Sequence, residues 1–191
     1  MTDTTDLIEI RWHGRGGQGA VTSAEILARA AIDEGKYAQA FPAFGAERRG
    51  APVLAFDRVS GKAPIRVRAE VTEPNVVVVL DAGLLKVVNV TAGLKQKGVL
   101  IINTREKLED IAAKFGNKWR LAVIDATKIA RELLGVPIVN TTMLGAVLKA
   151  TGLVKPEALH EPLKQRFGRL AERNISAMER AFRETVIKEL K

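Results

Sequence analysis

A cluster of glycines near the start of the chain offers the chemistry of anion binding. Residues 14–19 read Gly-Arg-Gly-Gly-Gln-Gly and satisfy the pattern G-x-G-x-x-G. The alternation of Ile8 to His13 before them predicts a strand, and helical spacing begins at Gln18. Glycines at such a turn let the backbone approach a ligand, and free N–H groups at a helix start attract phosphate. The candidate anion-binding residues are Gly14, Arg15, Gly16, Gly17, Gln18 and Gly19.

Two features of a nucleotide-binding loop are missing. A dinucleotide site has an acid about 20 residues past the loop, but that count from Gly19 reaches Gln39, and the next acid is Glu47. The loop also lacks the Lys-Ser/Thr ending of a P-loop. NAD binding is therefore disfavoured. The glycines could bind another anion, contact a partner, or only let the helix pack closely against its strand.

A second segment, residues 41–50, combines two aromatics, two arginines and two glycines in a predicted loop. Arginine has forked donors suited to carboxylate or phosphate, and exposed phenylalanines can bury against another surface. In the alternative interpretation, the phenylalanines cap the core and the arginines are solvated. The candidate interface residues are Phe41, Phe44, Gly45, Glu47, Arg48 and Arg49.

The composition excludes several kinds of site. The chain has no cysteine and two histidines, so it offers no thiolate for a cluster or a nucleophile, and we assign it no metal site and no catalytic residue. The formal net charge of +8 suggests nucleic-acid binding. However, Lys and Arg are interspersed with acids, as in residues 157–191, and aromatic residues are few. An anionic ligand or an acidic partner explains the charge equally well.

The length of 191 residues argues for one domain, 1–191. No apolar run is long enough to cross a bilayer, and the start, Met1 to Asp6, is polar and acidic where a signal peptide would be basic and then apolar. We therefore expect a cytoplasmic protein that does not enter a membrane.

The elements that must position these residues alternate between strands and helices. The apolar runs 76–80, 98–103 and 121–125 are each closed by a polar residue, which is typical of parallel strands buried on both faces. Helices are predicted between and before them, over 17–34, 82–96, 106–114 and 128–134.

Other elements complete the prediction. A strand is predicted over 36–44, and strands 52–59 and 65–71 form an antiparallel hairpin around a turn at 60–62. The C-terminal part is helical, with Thr141 or Thr142 capping a helix, another helix from Pro156 to about Phe167, and a last one that includes Val186. The predicted fold is α/β, with three layers: a mostly parallel sheet, helices on both faces, an antiparallel hairpin and a helical C-terminus.

Together, the two motifs resemble a known family. The residues from Ile10 to Thr22 and from Ala38 to Val53 are similar to the gamma subunit of pyruvate:ferredoxin oxidoreductase and of related 2-oxoacid:acceptor oxidoreductases. The resemblance continues through 76–81, 140–145 and 166–168, and so covers essentially the whole chain.

The resemblance implies a non-catalytic subunit of an enzyme that oxidatively decarboxylates a 2-oxoacid to an acyl-CoA and passes electrons to ferredoxin or a related acceptor. It implies alpha, beta and delta-type partners, with thiamine diphosphate and Mg held between alpha and beta and iron–sulfur clusters in beta and delta. This chain would bind none of these cofactors alone. The segment 41–50 would contact alpha, and Gly14 to Gly19 would lie near the coenzyme A phosphates.

Pyruvate is the default substrate of this interpretation, and an aryl or branched 2-oxoacid with another acceptor stays open. Two alternatives belong to other classes of protein. The glycine loop suggests a self-contained nucleotide-binding oxidoreductase, and the charge suggests a nucleic-acid-binding protein.

Overall fold

The structure is a computed structural model that describes residues 7–43 and 50–190 as a seven-stranded sheet with helices on both faces. The strands are β1 Leu7–Arg15, β2 Tyr37–Pro42, β3 Pro52–Ser60, β4 Val76–Val79, β5 Val99–Asn103, β6 Arg120–Ile124 and β7 Val186–Lys188. The helices are α1 Ala20–Asp33, α2 Leu108–Phe115, α3 Ala126–Leu134, α4 Asn140–Thr151, α5 His160–Phe167 and α6 Ala171–Glu184. Short 3-10 helices span Ala82–Lys86, Pro156–Leu159 and Gly168–Leu170.

The strand order is β2-β3-β1-β4-β5-β6-β7. Strands β1, β4, β5 and β6 are parallel neighbours, whereas β3 is antiparallel to both β1 and β2, and β7 is antiparallel to β6. Strand β2 therefore runs in the same direction as the parallel group. The predicted fold class, a mostly parallel sheet with an antiparallel hairpin and a helical C-terminus, is confirmed, and β2 and β3 form the hairpin.

The core lies on both faces of the sheet. On one face, Ile10 and Trp12 of β1 pack with α1, α4 and α6 in the larger apolar cluster. On the other face, alternate residues of the central strands, such as Val77 and Leu100, pack against Ile111 of α2. All four residues of β4 are buried, which explains why its sequence is continuously apolar rather than alternating.

The predicted strand 65–71 is wrong, because buried side chains take its carbonyl groups. Arg58 of β3 donates from Nη1 to Val67 O (3.2 Å) and from Nη2 to Ala69 O (2.7 Å). The Arg11 Nη1 group lies 3.4 Å from Val71 O. The segment therefore crosses the sheet as an extended strap bound to side chains instead of to a neighbouring strand.

The predicted helix 82–96 is also wrong beyond its first turn. Only Ala82–Lys86 is helical, as a 3-10 turn, and the following residues form short hydrogen-bonded turns. The Arg11 Nη2 group binds Val90 O at 3.1 Å and Ala92 O at 2.5 Å. These carbonyls face a buried cation, and this contact replaces the bonds that a continuous helix would make.

Two smaller corrections concern the C-terminal part. Helix α4 begins at Asn140 after Val139, with no side-chain cap, and the Thr141 hydroxyl donates to Asn174 instead (2.7 Å). Val186 does not extend the last helix. It opens β7, whose pairing with β6 gives the sheet an antiparallel edge.

A carboxyl group is buried beneath α1. Asp57 of β3 has no exposed surface, and its Oδ2 accepts a hydrogen bond from Trp12 Nε1 at 2.6 Å. Its Oδ1 has no partner among the described residues. Burial raises the pKa of this carboxyl well above its ordinary value, and the bond from Trp12 only partly opposes this effect. The group is therefore protonated in the folded protein at a pH where it is ionised in the unfolded chain.

We expect Asp57→Asn to raise the free energy of unfolding, by an amount that grows with pH. Above the unfolded pKa of about 4, only the folded state keeps this proton, so Asp57 lowers stability by about 1.4 kcal/mol per pH unit until the folded group also ionises. Asparagine still accepts the bond from Trp12 and does not titrate. Urea unfolding of both proteins from pH 5 to pH 8 measures the difference, and a difference that is independent of pH would contradict the prediction.

Candidate functional site

The glycine loop connects β1 to α1, as the sequence predicts. Gly14 and Arg15 are the last residues of β1, and α1 begins at Ala20. Gly17 and Gly19 have φ angles of 92° and 81°, a left-handed backbone that favours glycine. These two glycines therefore form the turn that ends the strand before the helix begins.

Part of the loop's hydrogen-bonding capacity is used within the chain. Gln18 Oε1 accepts from Arg15 N at 2.8 Å, Arg15 O accepts from Gln18 N at 2.9 Å, and Ala51 O accepts from Gly16 N at 3.0 Å. The N–H groups of Gly17 and Gly19 donate to no group among residues 7–43 and 50–190. Within the described part of the chain, these two N–H groups are therefore the candidates for binding an anion.

The Arg15 side chain forms an ion pair with the carboxylate of Asp81. Its Nε lies 2.8 Å from Asp81 Oδ2, at the end of β4, and Gln18 Nε2 donates to the same oxygen at 3.3 Å. Partial burial would raise the pKa of Asp81, but the hydrogen bonds from Gly83 N, Arg15 and Gln18 outweigh it and hold this pKa below its ordinary value. Arg15 therefore stabilises the turn and has little free charge for a ligand.

A cleft of about 500 Å³ opens beside the glycine loop. It lies at the carboxyl ends of β4, β5 and β6, on the side of the sheet where α/β proteins bind ligands. Most of its polar groups are paired with one another: Asp125 accepts from Lys128 N and lies 3.7 Å from Arg105. The lining includes Gln18, Asp81, Asn103, Thr104, Arg105, Glu106, Asp125, Thr127 and Val139.

This arrangement suits binding better than acid–base or nucleophilic catalysis. Asp81 is ion-paired with Arg15, and Asp125 caps α3. Within the described part of the chain, no group of three or more His, Cys, Asp or Glu residues could hold a metal ion.

The sequence predicts helix α4 from Thr141 or Thr142, but it does not predict that this helix lies at the site. Asn140, the first residue of α4, packs against Gly19, so closely that a Cβ on Gly19 would lie 2.7 Å from Asn140 Nδ2. Ser23 of α1 joins the two helices, because its hydroxyl lies 3.1 Å from both Gly19 O and Asn140 O. Asn140 directly precedes Thr141, one of the two predicted capping residues, but nothing in the sequence indicates its contact with a residue 121 positions earlier.

The missing acid near Gln39 has a structural explanation. In this sheet β3 separates β2 from β1, so the end of β2 does not lie beside the glycine loop. Gln39 Nε2 instead donates to Ile65 O of the strap at 2.8 Å. The topology therefore differs from the dinucleotide-binding fold, in which the second strand is a direct neighbour of the first.

Of the candidate interface residues, only Phe41 lies in the described part of the chain. It is half-buried in β2, its ring 5.3 Å from that of Phe56 and 5.3 Å from the Arg58 guanidinium. Phe44, Gly45, Glu47, Arg48 and Arg49 lie outside the described residues. The residues on either side are joined to the sheet, since Ala43 N donates to Leu54 O and Gly50 N donates to Gly16 O.

His13, directly before the glycine loop, belongs to a buried polar group. Its Nε2 accepts a hydrogen bond from Arg11 Nε at 3.1 Å, which requires a neutral ring. Burial, together with the charge of Arg11, lowers the pKa of His13 from 6.5 to about 4. Arg11 is itself buried, and its guanidinium is bound by backbone carbonyls rather than by a carboxylate.

We expect acid to destabilise the protein through His13. Between pH 6.5 and pH 4 the unfolded chain binds a proton on this ring that the folded chain does not, so stability is lost as the pH falls. The loss is about 3 kcal/mol across that range. In His13→Gln, an amide oxygen that does not titrate replaces the ring nitrogen, and this part of the acid sensitivity should disappear.

Urea unfolding at several pH values measures this effect, and His160→Gln is the matched control. His160 lies on α5 at the surface, with its ring 3.1 Å from Glu179. If the loss of stability in acid persists in His13→Gln but disappears in His160→Gln, then His160 causes it and the prediction is wrong.

The comparisons with known proteins agree on one family. The model of the family described as pyruvate ferredoxin/flavodoxin oxidoreductase matches residues 9–184. The chain is 59% identical to the pyruvate/ketoisovalerate oxidoreductases common subunit gamma of Thermococcus kodakarensis, over 96% of this chain and 100% of that protein. It is 52% identical to the pyruvate synthase subunit PorC of Methanothermobacter thermautotrophicus, over 93% and 96% of the two chains.

A solved structure has the same fold along its whole length. The pyruvate oxidoreductase subunit PORC of Thermotoga maritima superposes with a TM-score of 0.84 at 40% identity, over 96% of this chain and 99% of that one. No helix within residues 7–43 and 50–190 is both long enough and apolar enough to cross a bilayer. The chain belongs to the pyruvate ferredoxin/flavodoxin oxidoreductase family and is a gamma-type subunit within it.

Proposed function

We propose that this chain is the gamma subunit of a cytoplasmic, multi-subunit 2-oxoacid:ferredoxin oxidoreductase, an enzyme that converts a 2-oxoacid to an acyl-CoA. The observation that carries the proposal is the match to gamma subunits from end to end, with neither chain leaving a large part unaligned. The partners are alpha, beta and delta-type subunits, and ferredoxin or a related acceptor receives the electrons.

The role of this subunit is assembly and binding rather than the redox chemistry. Its residues do not fit an iron–sulfur cluster, because the sequence has no cysteine to supply thiolates. It also lacks the Gly-Asp-Gly motif of thiamine diphosphate sites. The paired carboxylates of the cleft support the same view, since a general base must be free to accept a proton.

Substrate choice belongs to the partner subunits in this proposal. The relative from Thermococcus kodakarensis is named as common to pyruvate and ketoisovalerate oxidoreductases. By analogy, this chain serves an enzyme for pyruvate and is compatible with one for a branched 2-oxoacid.

Two surfaces of the chain have proposed roles in the complex. Phe41, Phe44, Gly45, Glu47, Arg48 and Arg49 contact the alpha subunit, and the glycine loop, residues 14–19, lies near the phosphates of coenzyme A. Two observations support the second role: the N–H groups of Gly17 and Gly19 have no partner among residues 7–43 and 50–190, and Gln18 of the same loop lines the cleft.

Co-expression of this chain with its partner subunits tests the proposal. We expect an affinity tag on this chain to retain alpha and beta subunits, and we expect the complex to reduce ferredoxin with pyruvate and coenzyme A. The isolated chain should have no such activity. Turnover by the isolated chain, or a full-rate complex formed without it, would contradict the assigned role.

Assays of the same complex with a branched and an aryl 2-oxoacid decide among the substrates. If exchanging only the alpha and beta subunits changes the preferred substrate, then this chain does not select it. If exchanging this chain changes the preference, the selection residues lie here.

A further inference from the structure

The two edges of the sheet differ in how well they are protected against pairing with another chain. The sheet ends in β7 on one side and in β2 on the other. Strand β7 has three residues, Val186–Lys188, and a short edge strand with a lysine discourages pairing. Strand β2 has six residues, Tyr37–Pro42, and none of them is charged. The edge at β2 therefore has the features of a strand that accepts a partner strand.

The backbone groups that β2 directs away from β3 belong to alternate residues. Ala43 N donates to Leu54 O at 3.0 Å, so residues 43 and 54 form a hydrogen-bonded antiparallel pair. Hydrogen-bonded pairs alternate along the two strands, so residues 37, 39 and 41 bond to β3. The N–H and C=O groups of Ala38 and Ala40 then point outward. These four groups have no hydrogen-bond partner among residues 7–43 and 50–190.

The outward groups of β2 are complementary to those of a second β2. If two copies pair antiparallel about a two-fold axis between their Gln39 residues, Ala38 of each copy faces Ala40 of the other. Each of these two pairs exchanges two hydrogen bonds, so all four groups of each copy are satisfied. The ladder ends at Pro42, which has no N–H group. The residue facing Pro42 would be Lys36, whose N–H group is already bonded within its own chain.

The side chains of β2 fit the same register. Residues 37, 39 and 41 share the face that the strap crosses, since Gln39 donates to Ile65 O and Phe41 lies against Phe56. In the two-fold register, Tyr37 of each copy lies opposite Phe41 of the other in a closely spaced pair. Cross-strand aromatic pairs stabilise antiparallel sheets. The contact would therefore cover the Tyr37 side chain, which is 45% exposed in the single chain.

The charges near β2 do not oppose the contact. The formal net charge of +8 keeps two copies apart in general, but β2 itself carries no charge. Lys36, directly before β2, forms an ion pair with Glu34 at 2.7 Å. Arg58 of the neighbouring strand pairs with Glu9 at 2.9 Å and lies over the ring of Phe41. The cations closest to this edge are therefore compensated within each copy.

We propose that two copies of this chain pair antiparallel through β2, about a two-fold axis at Gln39, and form one continuous sheet. The inference goes beyond the subunit role proposed above, because such a contact joins two sets of subunits. One pair of strands is a small interface, so the free chain exchanges between monomer and dimer. Phe41 also belongs to the surface assigned above to the alpha subunit, and the test therefore relies on residue 39.

A single introduced cysteine reports the register, because the chain has no cysteine of its own. In the two-fold register the two residues 39 oppose each other with Cα atoms about 4.5 Å apart, which suits a disulfide. We expect Gln39→Cys, with oxidised glutathione as the oxidant, to form disulfide-linked dimers of the full chain and of the co-expressed complex. Ala38→Cys is the matched control. Its two cysteines would lie more than about 7 Å apart, so little disulfide should form.

Sedimentation equilibrium of the full chain measures the reversible association. Ala40→Pro removes the outward N–H group and leaves the bonds to β3 intact, and edge strands tolerate such a proline. We expect it to raise the dissociation constant of the dimer at least about tenfold, because one hydrogen bond is lost from each copy. Tyr37→Lys should also weaken the dimer. Val186→Lys, at a residue 52% exposed on the opposite edge, is its matched control and should have no effect.

Each outcome supports or overturns the pairing of two copies. Absence of a disulfide between copies of Gln39→Cys in both samples overturns it, as does equal linking in Ala38→Cys. A link from residue 39 to a different subunit also overturns it, because that subunit then supplies the strand at this edge. Thermal melting shows whether each variant is folded. Retention of the alpha subunit is measured separately, so a failure of this pairing leaves the proposed subunit role standing.

Discussion

Gly145→Ala is expected to lower the free energy of unfolding by more than about 3 kcal/mol, beyond the usual cost of overpacking a core. Gly145 lies in α4, where that helix packs against α6. A Cβ added there would lie 2.0 Å from Met178 O and 2.8 Å from Phe182 N. Both are backbone atoms of α6, so no side-chain rotation relieves the overlap and the helices must separate. This cost exceeds the gain of about 1 kcal/mol from placing alanine in a helix.

Gly152→Ala is the matched control, because the same substitution falls at the end of the same helix. Gly152 has a φ angle of 62° and no atom within 4 Å of an added Cβ, so only backbone strain opposes the alanine. That strain costs about 1–2 kcal/mol. Urea unfolding of both variants measures the difference. Equal losses would show that the two helices do not approach as closely as described.

The double variant Arg48→Ala, Arg49→Ala is expected to weaken assembly with the alpha subunit by about 2–5 kcal/mol, the cost of leaving a partner carboxylate buried and unpaired. Stability of the free chain should change by no more than about 0.5 kcal/mol, since substitutions of solvated surface residues have small effects. The two quantities are measured by retention of the subunit with its partners on a sizing column and by thermal melting of the free chain.

The matched control is the double variant Arg66→Ala, Arg68→Ala, which also removes two positive charges but at a different place on the chain. Both arginines are exposed on the strap that crosses the sheet, and this variant should assemble like the wild type. If the Arg48 and Arg49 variant also co-elutes with alpha and beta at wild-type affinity, the arginines are solvated and the interface role assigned to residues 41–50 is wrong.

The most accurate predictions concern elements whose hydrophobic pattern depends directly on their burial. The apolar runs 76–80, 98–103 and 121–125 became the parallel strands β4, β5 and β6, because a strand covered on both faces needs apolar residues at every position. The glycine pattern likewise marked the turn between β1 and α1, where Gly17 and Gly19 adopt positive φ angles.

The two wrong predictions, the strand over 65–71 and the helix over 82–96, have a common cause. The alternation in 65–71 is that of a strand, and 82–96 has the composition of a helix, yet neither forms as predicted. In both, carbonyl groups bind the guanidinium groups of Arg11 or Arg58, which are buried in β1 and β3. A local pattern shows which structure a segment favours but does not show which distant side chain will take its hydrogen bonds.

The family, the class of fold and the position of the glycine loop follow from the amino-acid sequence, because the two motifs and the buried runs are local and specific. The surroundings of that loop come from the three-dimensional fold. It paired Arg15 with Asp81, placed β3 between β1 and β2, and brought Asn140 against Gly19. A site at strand ends is assembled from segments far apart in the chain, so its composition depends on strand order and helix packing.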